Sequence, residues 1–347
     1  MLSTATYLID TLLLLASVAS VVIAGRAVQL RFLPEWRGPD LILARAIVAL
    51  SSVMIWCYLL GSVGGFSKWP LAIAFILTGP AFHFAFKPKG NGFGDFGEYP
   101  GAAALGLAIG GMALLGIWLI QVRYAMKVGL TGTDPLWYHM PFALRFFQTH
   151  SLLSVNYAEP LFQTYFYPSS GSVFHALGMV FYERDFLSIY INVLWLGLAV
   201  LAGASIGHRK GVAATSALGV MAVFAADGVL RGNAGSAMVD TPSTFFFLAA
   251  CAILLRDPSG KAALAIAGLA AGLGLAFKLT IAIPIVALTV AVFVLAGKGH
   301  RIRNTGIWLI SILATSLFWF IRNFVEAGNP LPLLKLPFFP SATMGGL

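Results

Sequence analysis

Asp134, Tyr138, His139 and Arg145 lie at short intervals in an otherwise apolar chain of 347 residues. On a helix, steps of four, three and four residues put Asp134, Tyr138, Pro141 and Arg145 along one side. A carboxylate placed there can take a proton from an acceptor hydroxyl or hold a divalent cation. Asp134 also stands directly before Pro135, the pairing that opens an ordinary helix with Asp as its cap. His139 and the more distant His175 suit proton transfer or hydrogen bonding to a substrate. A lone histidine at an interface usually satisfies a local hydrogen bond, so both are read as contacts. Neither lies at metal-ligand spacing, and the ligands of any metal stay unknown.

Further along, Asp227, Arg231 and Asp240 flank the glycine-bearing string Arg231-Gly232-Asn233-Ala234-Gly235. Glycine lets backbone approach a phosphate or sugar closely. Against that, Asp240 two residues before Pro242 has the look of a helix cap in a flexible loop. Lys278 interrupts two apolar runs within Phe277-Lys278-Leu279-Thr280, and a lipid phosphate is its natural partner. Snorkelling to the interface is the competing explanation. Arg322-Asn323, followed by Gly328-Asn329-Pro330, admits the same two readings.

The elements that must position these groups are membrane helices. Hydrophobic residues make up 59% of the chain and charged residues 10%, far from the roughly one quarter charged of soluble domains. The mean hydropathy of +0.87 places the surface in lipid rather than water. The net charge of +9 is scattered in short clusters between apolar runs, so it reads as a topology signal and not as a nucleic-acid surface. Anionic lipid head groups or phosphate-bearing substrates are its expected partners. Cys57 and Cys251 each sit inside an apolar run and suggest neither disulfide nor metal.

Runs able to cross a bilayer, or nearly so, occur at 7–25, 41–64, 69–86, 101–122, 186–206, 211–226, 241–255, 261–277, 279–296 and 305–321. This predicts an all-α integral membrane protein, one multi-span helical bundle over 1–347 with about ten spans. No Lys/Arg-rich start marks a cleavable signal, so the first run is expected to be retained. Alternate loops hold Arg26, Arg31 and Arg37; Lys87 and Lys89; Arg209 and Lys210; Arg256 and Lys261; and Lys298, Arg301 and Arg303. The positive-inside rule makes that set cytoplasmic and puts the N-terminus and the long segment 123–185 outside. Within that segment an interfacial helix is expected over 136–149, kinked at Pro141, with Trp137, Met140, Leu144 and Phe147 on its apolar face. A turn through Tyr167-Pro168-Ser169-Ser170-Gly171 precedes a second helix at 172–182. Leu347 falls in an outer segment, as expected of a piece of a longer chain or of a naturally short protein.

Asp134-Pro-Leu-Trp-Tyr138-His139-Met-Pro141-Phe-Ala143 resembles a motif of bacterial GT-C-type membrane glycosyltransferases, in which an acidic residue opens a large outer loop. Tyr167-Pro168 through Gly178, the run Gly272 to Thr280, and Arg322 to Pro330 are similar to further segments of that family. The resemblance implies transfer of a sugar from a polyprenyl-phosphate carrier to a lipid, glycan or protein acceptor, at the outer face of a prokaryotic inner membrane. It implies Asp134 as general base or metal contact, with a divalent cation as an optional helper, and Lys278 and Arg322 as contacts to the donor phosphate. The family's acidic loop usually follows the first span, whereas in this chain three more apolar runs come before it, and Asp134 has no acidic neighbour. A transporter or flippase of a lipid-linked substrate is the alternative expectation, with inverted repeats and mid-span charges as its signs. A non-catalytic subunit packing through the small residues at 262–276 is a third.

Overall fold

The computed structural model describes residues 3–88, 101–153 and 164–340; Lys89 and Leu347 lie outside the described residues. Its regular structure is entirely helical among them. Helix α1 (Thr4–Phe32), α2 (Gly38–Ser62), α3 (Lys68–Phe86) and α4 (Gly101–Val128) come first. A π-helical turn, Pro135–His139, leads into α5 (Met140–Thr149), and a 3₁₀ turn, Thr164–Phe166, leads toward α6 (Ser170–Tyr182). Then follow α7 (Ser188–His208), α8 (Ala213–Ala225), α9 (Asp227–Asn233), α10 (Asp240–Arg256) and α11 (Lys261–Phe277). A 3₁₀ turn at Leu279–Ile281 precedes α12 (Ala282–Leu295), and α13 (Arg301–Ala327) ends the helical part.

Among the described residues six helices are long and apolar enough to cross a membrane: α1, α2, α3, α4, α7 and the helix ending at Ala327. Joining α8 to α9 across their 72° bend makes seven. The multi-span bundle is therefore present, with fewer full-length crossings than the ten apolar runs suggest. Helices α10 and α11 have 17 residues each and α12 has 14. At 1.5 Å per residue these fall short of a hydrocarbon layer of about 30 Å. The outer surfaces demand lipid: Leu8, Leu12 and Leu15 of α1 and Ile109 and Met112 of α4 are all more than half exposed.

Backbone polarity inside the bundle is handled locally. Pro80 within α3 has no N–H for the Ile76 carbonyl; Ser20 Oγ of α1 donates to that carbonyl at 2.6 Å and accepts Gly79 N–H at 2.9 Å. Helix α11 buries most of its surface against α10 and α13. Gly268 and Gly272 bring it onto α13 so closely that a Cβ at Gly272 would collide with the Ile312 carbonyl and Thr315 Oγ1. The small residues at 262–276 are thus used inside the chain. Gly272→Val is expected to cost about 1–3 kcal/mol through overpacking, read as a lower unfolding temperature in detergent.

The two ends of the bundle differ in charge. At one end Lys68 bridges Asp10 at 3.0 Å and Glu183 at 3.3 Å, joining α1, α3 and the end of α6. At the other, buried Asp40 accepts Ser205 Oγ at 2.5 Å and meets His208 Nδ1 at 3.0 Å and Arg256 Nε at 3.1 Å. Gly38, at φ +58, leaves room beside it for the His208 ring. Arg209 donates to the Arg256 carbonyl at this same end. Arg45 donates to Gln29 Oε1 at 2.8 Å, tying α2 to α1.

Candidate active site at the helix ends

The π turn before α5 has a local cause. Pro141 carries no N–H, so regular i→i−4 bonding fails there, and Met140 N–H reaches back five residues to the Pro135 carbonyl. The expected distortion at Pro141 is therefore present as a π turn immediately before it. Asp134 precedes this turn with helical backbone angles and makes no side-chain cap bond. Its Oδ2 instead accepts the Tyr138 hydroxyl at 3.1 Å.

The helix that follows buries Phe142, Ala143 and Phe146. This differs from the expected stripe of Trp137, Met140, Leu144 and Phe147, of which Leu144 is 45% exposed. Both sides of this helix are apolar because one meets protein and the other is suited to lipid; apolar periodicity alone does not separate them. Arg145 is half-buried on α5, about two turns beyond Tyr138.

Three further elements close on the Asp134–Tyr138 pair. The N-terminus of α6 supplies Ser172, whose Oγ lies 3.4 Å from His139 Nδ1, and one turn later His175. The start of α10 supplies Asp240, and the extended residue after α11 supplies Lys278. Lys278 Nζ donates to Asp240 Oδ1 at 2.5 Å, both side chains being partly exposed. The assumed cap role of Asp240 gives way to this pair, since Asp240 makes no cap bond and the cap position is Val239. Gly171 admits α6 to Val239 and Phe277, the residues flanking this ion pair in sequence. Asn192 of α7 donates to the carbonyls of Asn233 and Ser236 at 2.9 and 3.0 Å, which fixes the connection leading into Asp240.

The electrostatics bind these pieces into one cluster. Burial pushes the Tyr138 phenol well above its ordinary range, and Asp134, Tyr167 and Asp240 all add to the shift. The Tyr167 ring, on the turn before α6, stands 5.9 Å from that of Tyr138. Burial drives the His139 imidazole down to about 3, with His175 and the Lys278 charge acting in the same direction. Burial also lowers His175, to about 4. Among the described residues His139 Nε2 and His175 Nδ1 have no hydrogen-bond partner.

Both histidines are therefore neutral at pH 7. Because their folded pKa values lie below the ordinary 6.5, unfolding takes up protons between the two values. The stabilisation is complete above about 6.5 and fades as pH falls toward 4. The melting temperature in detergent should drop over that interval, and His139→Gln should flatten the dependence.

Two expected site residues lie elsewhere. Arg231 pairs with Asp227 on α9 at 2.6 Å, with both side chains more than 70% exposed, and does not join the cluster. Arg322, 3% exposed, donates to the Tyr165 carbonyl and to Asn323 Oδ1, and its guanidinium lies 4.5 Å and 4.8 Å from the ring centres of Tyr165 and Trp319. Asn323 donates to the Phe166 carbonyl at 2.9 Å, so the pair braces the 3₁₀ turn ahead of α6. Sequence reasoning missed Tyr167 and Ser172 as members of the cluster; an aromatic before Pro168 and a serine in the first turn of α6 were the available signals.

The described residues contain no group of three or more His, Cys, Asp or Glu placed to share a metal ion. Asp134 and Asp240 are the carboxylates of the cluster, a thin donor set for a divalent cation, which takes six or more oxygens. What the arrangement offers chemically is a carboxylate already accepting from a hydroxyl, and an ammonium held by a carboxylate that an incoming anion can displace. No protein-family model, curated protein or solved structure matches this chain.

Proposed function

We propose that this chain is a membrane glycosyltransferase of GT-C-like type, moving a sugar from a polyprenyl-phosphate donor to a hydroxyl acceptor at the non-cytoplasmic face. The observation that carries this reading is the Asp134–Tyr138 pair gathered with the Lys278–Asp240 pair at the ends of apolar helices.

In this reading an acceptor hydroxyl takes the place of the Tyr138 hydroxyl on Asp134. Asp134 removes its proton as the new C1–oxygen bond forms and the bond from C1 to the phosphate oxygen breaks. The leaving polyprenyl phosphate keeps the electron pair. Its charge is met by Lys278, which exchanges Asp240 for the phosphate. His139 and His175, being neutral and buried, bring no competing positive charge.

The location of the charged groups also supports surface chemistry over carriage through the bilayer. Asp240 opens its helix and Lys278 follows the end of another, whereas a carrier is expected to hold ionisable groups near mid-span. The base-rich end around Arg209, Arg256 and Lys261 suits the cytoplasmic side, leaving the candidate site outside. The test is an assay of purified protein in proteoliposomes with a panel of polyprenyl-phosphate sugars and hydroxyl acceptors. Release of polyprenyl phosphate with a matching glycosylated product is expected; folded protein that releases none from any donor would overturn the proposal.

A further inference from the structure

A second mixed-charge pocket lies at the end of the bundle opposite Asp40. It has a volume of about 370 Å³ and is lined by Ser67, Lys68 and Trp69 at the start of α3, and by His150 and Glu183 where α5 and α6 end. Both helices end on left-handed backbone, at φ 55 for His150 and φ 57 for Glu183. Glycine takes that conformation freely at a helix end, whereas any side chain makes it costly. Each helix nevertheless carries an ionisable side chain there, and the two side chains line one pocket.

The charges of this pocket do not cancel. Lys68 Nζ donates to both oxygens of buried Asp10, at 3.0 and 3.2 Å, and that pair is balanced by itself. Glu183, which Lys68 also reaches at 3.3 Å, therefore adds a surplus negative charge on a side chain that is 54% exposed. Arg184, next in the chain, lies over the Tyr7 ring and does not line the pocket. A ligand that satisfies Glu183 must bring a cation. His150 Nδ1 stands 3.3 Å from the Phe66 carbonyl; a carbonyl only accepts, so the proton is on Nδ1 and Nε2 is left as a second acceptor. Two donors complete the set: the Lys68 ammonium and the hydroxyl of Ser67, which makes no cap bond to α3.

The pocket opens on lipid. Trp69, Ile73 and Leu77 follow one another at steps of four on α3 and are each more than half exposed, on a helix of membrane-spanning length. This apolar stripe runs about 12 Å from the pocket toward mid-span. A tryptophan at its head suits the level of lipid head groups.

We propose that this pocket is a head-group site for a phospholipid with a primary ammonium, phosphatidylethanolamine. Its ammonium lies on Glu183 and His150 Nε2, its phosphate on Lys68 and the Ser67 hydroxyl, and an acyl chain along Trp69, Ile73 and Leu77. Phosphatidylcholine has no ammonium N–H for these acceptors, and phosphatidylglycerol brings no cation to Glu183. A soluble sugar would use the polar groups and leave the stripe without a role. The assignment needs only the membrane position of the bundle and is independent of the transfer reading.

The test places the full chain in nanodiscs made from equal amounts of phosphatidylethanolamine, phosphatidylcholine and phosphatidylglycerol, followed by native mass spectrometry. Phosphatidylethanolamine should be retained over each of the others by roughly threefold to fivefold, the scale of one exposed charge pair. Glu183→Gln should bring the ratios close to one at an unchanged melting temperature, since Asp10 still holds Lys68. A wild-type protein without this preference, or a preference that survives Glu183→Gln, would overturn the proposal. So would loss of the retained lipid on adding a panel of soluble methyl glycosides, which would mark the pocket as a carbohydrate site. The wild-type comparison needs no variant to fold, and sugar transfer by the same preparation bears on the transfer reading alone.

Discussion

Asp134→Asn should lower the rate of sugar transfer at saturating donor by about 10²–10⁴-fold, the usual contribution of a positioned general base. The amide keeps the size of the carboxyl group and still accepts the Tyr138 hydroxyl through its oxygen, so the π turn and α5 should survive. Asp134 makes no cap bond whose loss would unwind the helix start, and the melting temperature should stay close to that of the wild type. What the amide cannot do is take the acceptor's proton. Tyr138→Phe removes the hydrogen bond at 3.1 Å but leaves the carboxylate, so its effect should be smaller, about tenfold. Rates measured with the best donor of the panel decide the matter: a folded Asp134→Asn protein that transfers at the wild-type rate would remove this carboxylate from the chemistry.

The second large effect concerns stability, at the opposite end of the bundle. Asp40 is 1% exposed; it accepts the Ser205 hydroxyl, meets His208 Nδ1 and forms an ion pair with Arg256, groups that arrive from α7 and α10. Asp40→Ala leaves the Arg256 charge beside a void and takes the acceptor from Ser205. Breaking a buried pair in this way costs about 3–5 kcal/mol. Arg256 and His208 are roughly 30% exposed, so water recovers part of the loss and the lower end, about 3 kcal/mol, is expected. Asp40→Asn keeps an acceptor for Ser205 and should be milder. Thermal unfolding in detergent, followed by circular dichroism, measures both; an Asp40→Ala protein as stable as the wild type would mean that the α2–α7–α10 junction is held by apolar packing.

How far the structure was legible in the sequence depends on the range of the interaction. The spacing of four between Asp134 and Tyr138 placed them on one helical face, and the observed hydrogen bond follows from that local geometry. The distortion at Pro141 was legible for the same reason, since a missing N–H acts within one turn. The Lys278–Asp240 pair was not, because 38 residues and a helical hairpin separate the partners. No periodicity relates them. The buried face of α5 was misread because Leu144 and Phe146 are equally apolar, and hydropathy does not say which of them meets protein.

The ten apolar runs and the six or seven candidate spans among the described residues differ for a related reason. The runs 241–255, 261–277 and 279–296 are apolar enough for lipid, yet they form helices of 17, 17 and 14 residues, the first two of which sit largely within the bundle. Burial against neighbouring helices and exposure to lipid favour the same residue types. Arg322 illustrates the converse: a charge near the end of an apolar run suggests a ligand, whereas the structure surrounds it with Tyr165, Trp319 and Asn323 of the same chain.

The decisive measurement concerns where Asp134 stands and what it meets. Thr133, exposed and adjacent to Asp134, accepts a cysteine without touching the Asp134–Tyr138 bond, in a Cys57→Ser, Cys251→Ser background. Labelling Thr133→Cys in intact cells with a membrane-impermeant maleimide, then repeating it on purified protein with saturating polyprenyl-phosphate sugar, tests location and occupancy together. Modification from outside the intact cell, slowed severalfold by the donor, is the predicted result. Modification only after permeabilisation, or a rate indifferent to donor, would contradict a transfer site built on this carboxylate.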